Sequence, residues 1–304
     1  MEAKCVLQVG LTCLDIINVL GHYPEEDTDS RCMEQHCLRG GNAGNSSVVL
    51  AQLGLPCEYL GTLAKHKLSE LIMEDLHHYG VITDHCVYHD NCQVPTSCCI
   101  VNDASGSRTI MHSNANLPEL SCEDFEKLDF RRYTWIHFEG RNLKEILKMI
   151  LKVEEYNNKE NTKKDKITIS VELEKPKMNL HELSFHGDVV FFSKDYAKHF
   201  GYSTAESALD GLQSKVKQGA ILVCAWGEHG AWAMETTTKV KYHSSTFPPD
   251  KVIDTLGAGD TFNAGFIYSL VNKQTISEAL TMGCKVAGKK CGQHGFGGIA
   301  EGIV

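Results

Sequence analysis

Short apolar runs recur along the chain, and between them lie longer stretches whose apolar positions return every three or four residues. Cys5 to Val9 is such a run, ends at Gly10, and predicts a buried strand. Asn42 to Leu53 carries Val48, Val49 and Leu53 at helical spacing, with Gly54 as the stop. Glu58 to Gly61 predicts a strand, and Lys67 to Tyr79 a helix closed by Gly80. Further on, strands at Trp135–Phe138, Ile167–Val171, Val189–Phe192 and Ile221–Ala225 interleave with helices at Leu143–Tyr156 and Ala205–Lys217. A strand-like Lys251-Val252-Ile253 precedes two last helices, Ala258–Leu270 and Ile276–Cys291, the latter striped by Ile276, Leu280, Cys284 and Ala287. Strands alternating with helices of this length predict an α/β fold: a mostly parallel sheet covered on both faces, a three-layer sandwich.

Two stretches break the rhythm. Leu20 to Leu38 is polar with weak alternation and predicts an exposed strand pair. Cys86–Tyr88, Thr96–Asn102 and Ser107–His112 are β-rich, the last two joined by a hairpin through Asn102-Asp103-Ala104-Ser105-Gly106. We expect these excursions, about 14–39 and 84–113, to assemble a small second sheet on a single domain spanning 1–304. Residues 157–166 read as a solvated loop, and no internal repeat is visible.

Composition narrows the class. With 42% hydrophobic and 23% charged residues, the chain has the profile of a soluble globular protein. A formal net charge of −9 argues against nucleic-acid or anionic-membrane partners, but not against a phosphorylated small molecule, which needs only a helix end and one or two cations. The N-terminal apolar run is broken by Gln8 and Asp15 and lacks a signal-peptide layout, and no apolar stretch is long enough to span a bilayer. Thirteen cysteines, an odd number, then point to reduced thiols and a cytoplasmic location.

The chemistry concentrates in DTLGAGDTF, Asp254 to Phe262, at a predicted strand-to-helix junction. Gly257 and Gly259 let backbone N–H groups approach an anion, and the helix start adds partial positive charge. A carboxylate at Asp260 beside an anion makes sense if it accepts the proton of the group attacking a phosphate. The helix start should depress its pKa. RGGNAGNSS, Arg39 to Ser47, places Asn42 and Asn45 one turn apart at another helix start, where their amides suit a polyol. Asp15, expected on the loop after the first strand, adds a charge-assisted acceptor. Arg108 is either an edge charge or a clamp on phosphate oxygens. Trp226-Gly227-Glu228-His229-Gly230 suits a nucleotide at the sheet edge, or a tight turn. There is no P-loop sequence; Gly295 to Ala300 fits a dinucleotide fingerprint only formally; His85, Cys86, His89 and Cys92 lack zinc-site spacing; and His77 and His78 read as helix surface.

Both glycine-rich motifs, GGNAGN and DTLGAGD, resemble those of the ribokinase-like carbohydrate kinases of the phosphofructokinase-B type, and the second is highly specific. Within that family the chain looks most like the ketohexokinase branch, ATP-dependent fructose 1-kinases, over stretches such as DFEKLDFRRYTWIHFEGRN, GDVVFFSKDYAKHFG and VAGKKCG. The resemblance implies a ribokinase-like fold whose β inserts form a lid and a homodimer contact. It implies Asp260 as the base on the sugar's primary hydroxyl, with Gly257, Ala258 and Gly259 as the anion hole. Asp15, Gly41, Asn42 and Asn45 would hold fructose or a related ketose. Arg108, Gly227, Glu228, His229, Gly230 and Cys291 would serve ATP. The resemblance also implies Mg2+ with the nucleotide and a monovalent cation such as K+ near Asp254. One departure is that Ser193-Lys194-Asp195-Tyr196 stands where many members carry N-x-x-E. The alternatives are a kinase of this fold with ribose, another ketose or a nucleoside as acceptor, or a non-catalytic sugar or nucleotide sensor.

Overall fold

The computed structural model describes residues 4–105, 107–114, 116–159, 166–176 and 179–303. Gly106 of the expected hairpin, residues 160–165 of the expected loop, and residues 1–3 and 304 of the expected domain lie outside them. In chain order the elements are β1 (Cys5–Val9), β2 (Cys13–Leu20), β3 (Glu34–Gly40), α1 (Asn42–Gln52), β4 (Cys57–Leu60), β5 (Thr62–Ala64), α2 (Lys67–His78), β6 (Val87–His89), β7 (Thr96–Asn102) and β8 (Arg108–Ser113). Then follow α3 (Cys122–Phe125), β9 (Tyr133–Glu139), α4 (Leu143–Lys159), β10 (Thr168–Leu173), β11 (Val189–Phe192), α5 (Lys194–His199) and α6 (Ala205–Leu212). The chain closes with β12 (Ile221–Ala225), β13 (Ala231–Glu235), β14 (Lys241–Ser244), α7 (Ala258–Val271) and α8 (Ile276–Cys291).

Eight strands form the main sheet in the order β14-β13-β12-β11-β10-β9-β1-β4. It is parallel from β4 to β12 and antiparallel at β13 and β14. Its central strands are apolar on both faces because each face is covered. Along β11, Val190 and Phe192 join one core with Ile146, Met149, Ile150 and Val153 of α4 and Leu209 of α6. Val189 and Phe191 join the other, with Val48 of α1, Leu76 of α2, Phe266 of α7 and Leu280 of α8. The α4 stripe recurs every three or four residues, and burying each such side chain stabilises by roughly 1.5–3 kcal/mol.

The second sheet has the order β3-β2-β7-β8 and rests on a small core of Ile17, Val19 and Cys99, against which Leu256 of the DTLGAGD loop packs. Three expectations need correction here. The polar stretch after Leu20 is not a strand pair: residues 21–33 are irregular, and β3 begins at Glu34. Asp15 lies within β2, not on a loop. The strand at 87–89 leaves the second sheet and pairs in parallel with β5, because Thr62 to Ala64 offers it a free edge. Elsewhere, the expected helix to Lys217 stops at Leu212 and tightens into a 3-10 turn at Gln213–Lys215. Lys251 to Ile253 is no strand: Ile253 donates its N–H to Cys291 O at 2.7 Å, and so binds the end of α8 instead of a sheet.

Candidate active site

Parallel strands bring their carboxyl ends to one edge, and ligands of open α/β sheets bind there, at the point where the strand order reverses. Here that point is β1 against β9, since the chain runs from β1 to β4 on one side and later returns to β9 on the other. A cleft of about 930 Å³ opens at this edge beneath the second sheet. Asp15, Gly41, Asn42, Asn45, Arg108, Gly227, Gly257, Ala258, Gly259 and Asp260 all line it.

Asp260 sits in the first turn of α7 and is buried. Its Oδ2 accepts from Asn45 Nδ2 at 2.7 Å, and its backbone O accepts from Ser46 Oγ at 3.2 Å. Burial pushes its pKa up to about 7, with the Glu174, Glu139 and Asp15 carboxylates adding to the rise and the Asn45 hydrogen bond opposing it. The depressed value expected from the helix start is therefore corrected: desolvation outweighs the helix end. Asn45 is itself held, since its Oδ1 accepts from Arg39 Nη1 at 2.7 Å and Arg39 Nε donates to Asp75 Oδ2 at 2.6 Å. A relay from the half-buried Asp75 through the buried Arg39 and Asn45 thus fixes the carboxylate's orientation.

The glycines before Asp260 differ in what they need. Gly257 caps α7 at φ 75°, and a Cβ there would lie 2.6 Å from the Phe296 ring. A Cβ on Gly259 would meet no protein atom within 4 Å, so the space it keeps clear belongs to the cleft. No side chain caps α7, which leaves its leading amides without helical acceptors. Arg108 of β8 reaches across and donates to Thr255 Oγ1, so the second sheet touches the glycine loop directly.

On the other wall, Asp15 is buried and accepts from Cys13 Sγ at 3.3 Å, and burial raises its pKa. Gly41 is the N-cap of α1, at φ 90°, and Asn42 Nδ2 donates to Glu172 Oε2 at 3.0 Å and Glu174 Oε2 at 3.2 Å.

The remaining expected residues do not face the cleft. Glu228 and His229 belong, with Gly227, to a 3-10 turn that Gly230 closes, and Glu228 is paired to Lys194 at 3.3 Å. Cys291 acts through its carbonyl on Ile253 and Asp254. Asp254 is paired with Lys290 at 2.8 Å. Away from the cleft, His85 pairs with Glu58, and His77, exposed on α2 as expected, bonds Thr83 Oγ1 at 2.7 Å.

Sequence reasoning missed Glu139, Arg141, Glu172, Glu174 and Asn263, which also line the cleft. Glu172 is held by Asn42 and by Asn263 Nδ2 at 2.7 Å, and burial with the nearby Asp260 carboxylate raises its pKa well above the usual range. Burial also raises that of Glu139, which accepts from Leu11 N–H at 2.7 Å. Their one sequence signal was an acidic residue at or next to the end of a largely apolar strand, as in IHFE of β9 and SVEL of β10.

Residues 4–301 match the model of the pfkB family of carbohydrate kinases, and the chain belongs to that family. It is thus an ATP-dependent carbohydrate kinase with a ribokinase-like fold. The mouse (Mus musculus) protein "Ketohexokinase" is 51% identical over 98% of this chain and 100% of its own. Among solved structures, ribokinase from Giardia lamblia superposes with a TM-score of 0.81 at 14% identity, covering 97% of this chain and 94% of that one. Arabidopsis thaliana ribokinase complexed with ribose and ATP gives 0.77 at 20% identity, over 97% and 94%. Among the described residues, no helix is long and apolar enough to cross a membrane.

Proposed function

We propose that this kinase transfers the γ-phosphoryl group of ATP to the C1 hydroxyl of fructose, giving fructose 1-phosphate and ADP. The observation that carries the chemistry is Asp260: a buried carboxylate with a pKa of about 7, beside uncapped helix amides and a glycine that keeps space open. The ketose is favoured by 51% identity with the mouse ketohexokinase over nearly the whole chain.

In this reading Asp260 takes the proton of the attacking hydroxyl as it becomes acidic, while the amides of Gly257 to Gly259 steady charge on the migrating group. Asp15 and Asn42 hold sugar hydroxyls. Asn45, whose amide is already engaged at both ends, orients Asp260 more than it holds sugar. Arg108 reaches the ATP phosphates, and Gly227 marks the nucleotide end of the cleft. Mg2+ would accompany ATP; it favours carboxylate and water oxygens, and Glu174 and Asp195, which line the cleft, would hold it through their carboxylates. The second sheet closes over the sugar as a lid. Met111, exposed on its outer strand β8 and not among the cleft residues, suits it to a homodimer contact. Thirteen free thiols suit the cytoplasm.

The test is ATP turnover by the purified protein over fructose, tagatose, ribose and adenosine, followed by NMR location of the phosphate. Fructose as the best acceptor, phosphorylated at C1, is expected. A preference for ribose or adenosine, or phosphate on another carbon, would overturn the reading.

A further inference from the structure

We infer that the ammonium group of Lys290 is the built-in monovalent cation of this enzyme: it shapes the Asp254–Gly257 loop for phosphoryl transfer, so turnover needs no added potassium. A lysine is buried only when its charge is fully compensated. Lys290 is 1% exposed. Its Nζ donates to Asp254 Oδ2 at 2.8 Å, to Asp254 O at 3.3 Å and to Gln293 O at 3.3 Å, which uses all three of its N–H bonds. The Phe296 ring, its centroid 5.4 Å away, covers a further side. A carboxylate and two backbone carbonyls are the hard oxygen donors that a potassium ion would take. The void beside the ammonium, of about 10 Å³, is at the lower limit for one water (roughly 10–15 Å³). The potassium site implied by the family resemblance therefore does not fit this chain, because the oxygen it would use on Asp254 already binds a charge of the same sign.

The position matters for the cleft. Asp254 Oδ1 accepts the N–H of Leu256 at 2.8 Å, and Cys291 O accepts the N–H groups of Ile253 and Asp254. Thr255 and Leu256 line the cleft, and Gly257 starts α7 against the same Phe296 that covers the ammonium. Lys290 is a positioning residue: it fixes the carboxylate, the carboxylate fixes the turn, and the turn presents the amides.

This inference rests on the kinase reading, and the experiment separates the two. Wild-type turnover with fructose and ATP is measured in potassium, sodium and tetramethylammonium chloride at equal ionic strength, alongside melting temperatures without substrate. Rates within about twofold and equal melting temperatures are expected. In Lys290→Ala, kcat should fall by about tenfold or more in tetramethylammonium, and potassium or ammonium, which fit the vacated space, should restore both kcat and melting temperature. Several-fold activation of the wild type by potassium, or a Lys290→Ala variant fully active in tetramethylammonium, would overturn the inference. If the variant does not fold, the wild-type salt comparison decides alone. Absence of wild-type turnover in every salt would instead sink the kinase reading.

Discussion

Burial, more than the helix end beneath it, sets the proton affinity of Asp260. Only the ionised carboxylate can accept a proton, so kcat/KM with fructose is expected to fall as pH drops through about 7. A profile flat from about pH 5 to about pH 8 would contradict that role. The glycines next to it give a paired prediction. Gly259→Ala places its methyl group in the cleft and not in the protein. It should keep the melting temperature, or raise it slightly by restricting the unfolded chain, while kcat/KM falls by about tenfold or more. Gly257→Ala meets both a positive φ and the Phe296 ring, so it should lower stability and activity together. Equal effects from the two would argue that the loop is mere punctuation.

At the level of elements, the contact between β8 and the glycine loop joins the second sheet to the proposed phosphate site. Arg108 leaves the second sheet to meet Thr255, so Arg108→Gln is expected to raise KM for ATP about tenfold with a smaller change in kcat. ATP hydrolysis without sugar should run about 100-fold or more below transfer, because closure excludes water; equal rates would show that nothing closes. What could be read from the sequence follows from this geometry. DTLGAGD and GGNAGN were legible because each packs its chemistry into a contiguous run that starts a helix. Helices α1, α7 and α8 were legible from periodicity. Glu139, Glu172 and Glu174 were not, since single residues on different strands converge only once β9 and β10 lie side by side. The hairpin of β13 and β14 gave no signal beyond two short runs at the sheet edge. The direction of the Asp260 shift was misread because burial is a tertiary property, whereas the helix start is local. Lys290 gave no signal of its own, because the partner that gives it meaning, Asp254, lies 36 positions earlier.

For the whole molecule, one sheet with two covered faces supplies rigidity, and the second sheet supplies one wall of the cleft. That sheet presents Met111, 50% exposed, on its outer strand. Met111→Asp should shift a dimer toward monomer in sedimentation equilibrium, while a wild type monomeric at every concentration would remove the dimer proposal. The central claim is that a carboxylate at the floor of this cleft takes the sugar's proton while helix amides gather the phosphoryl group. The most direct test is Asp260→Asn, with ATP and fructose binding followed by calorimetry beside turnover. Because the raised pKa means that the folded state favours the neutral carboxyl, stability linked to Asp260 is lost as pH rises through about 7, so the variant's melting temperature at about pH 8 should equal or exceed the wild type's. The account predicts a folded variant that binds both substrates and turns over at least ~100-fold more slowly; near-normal turnover by that folded variant would contradict it.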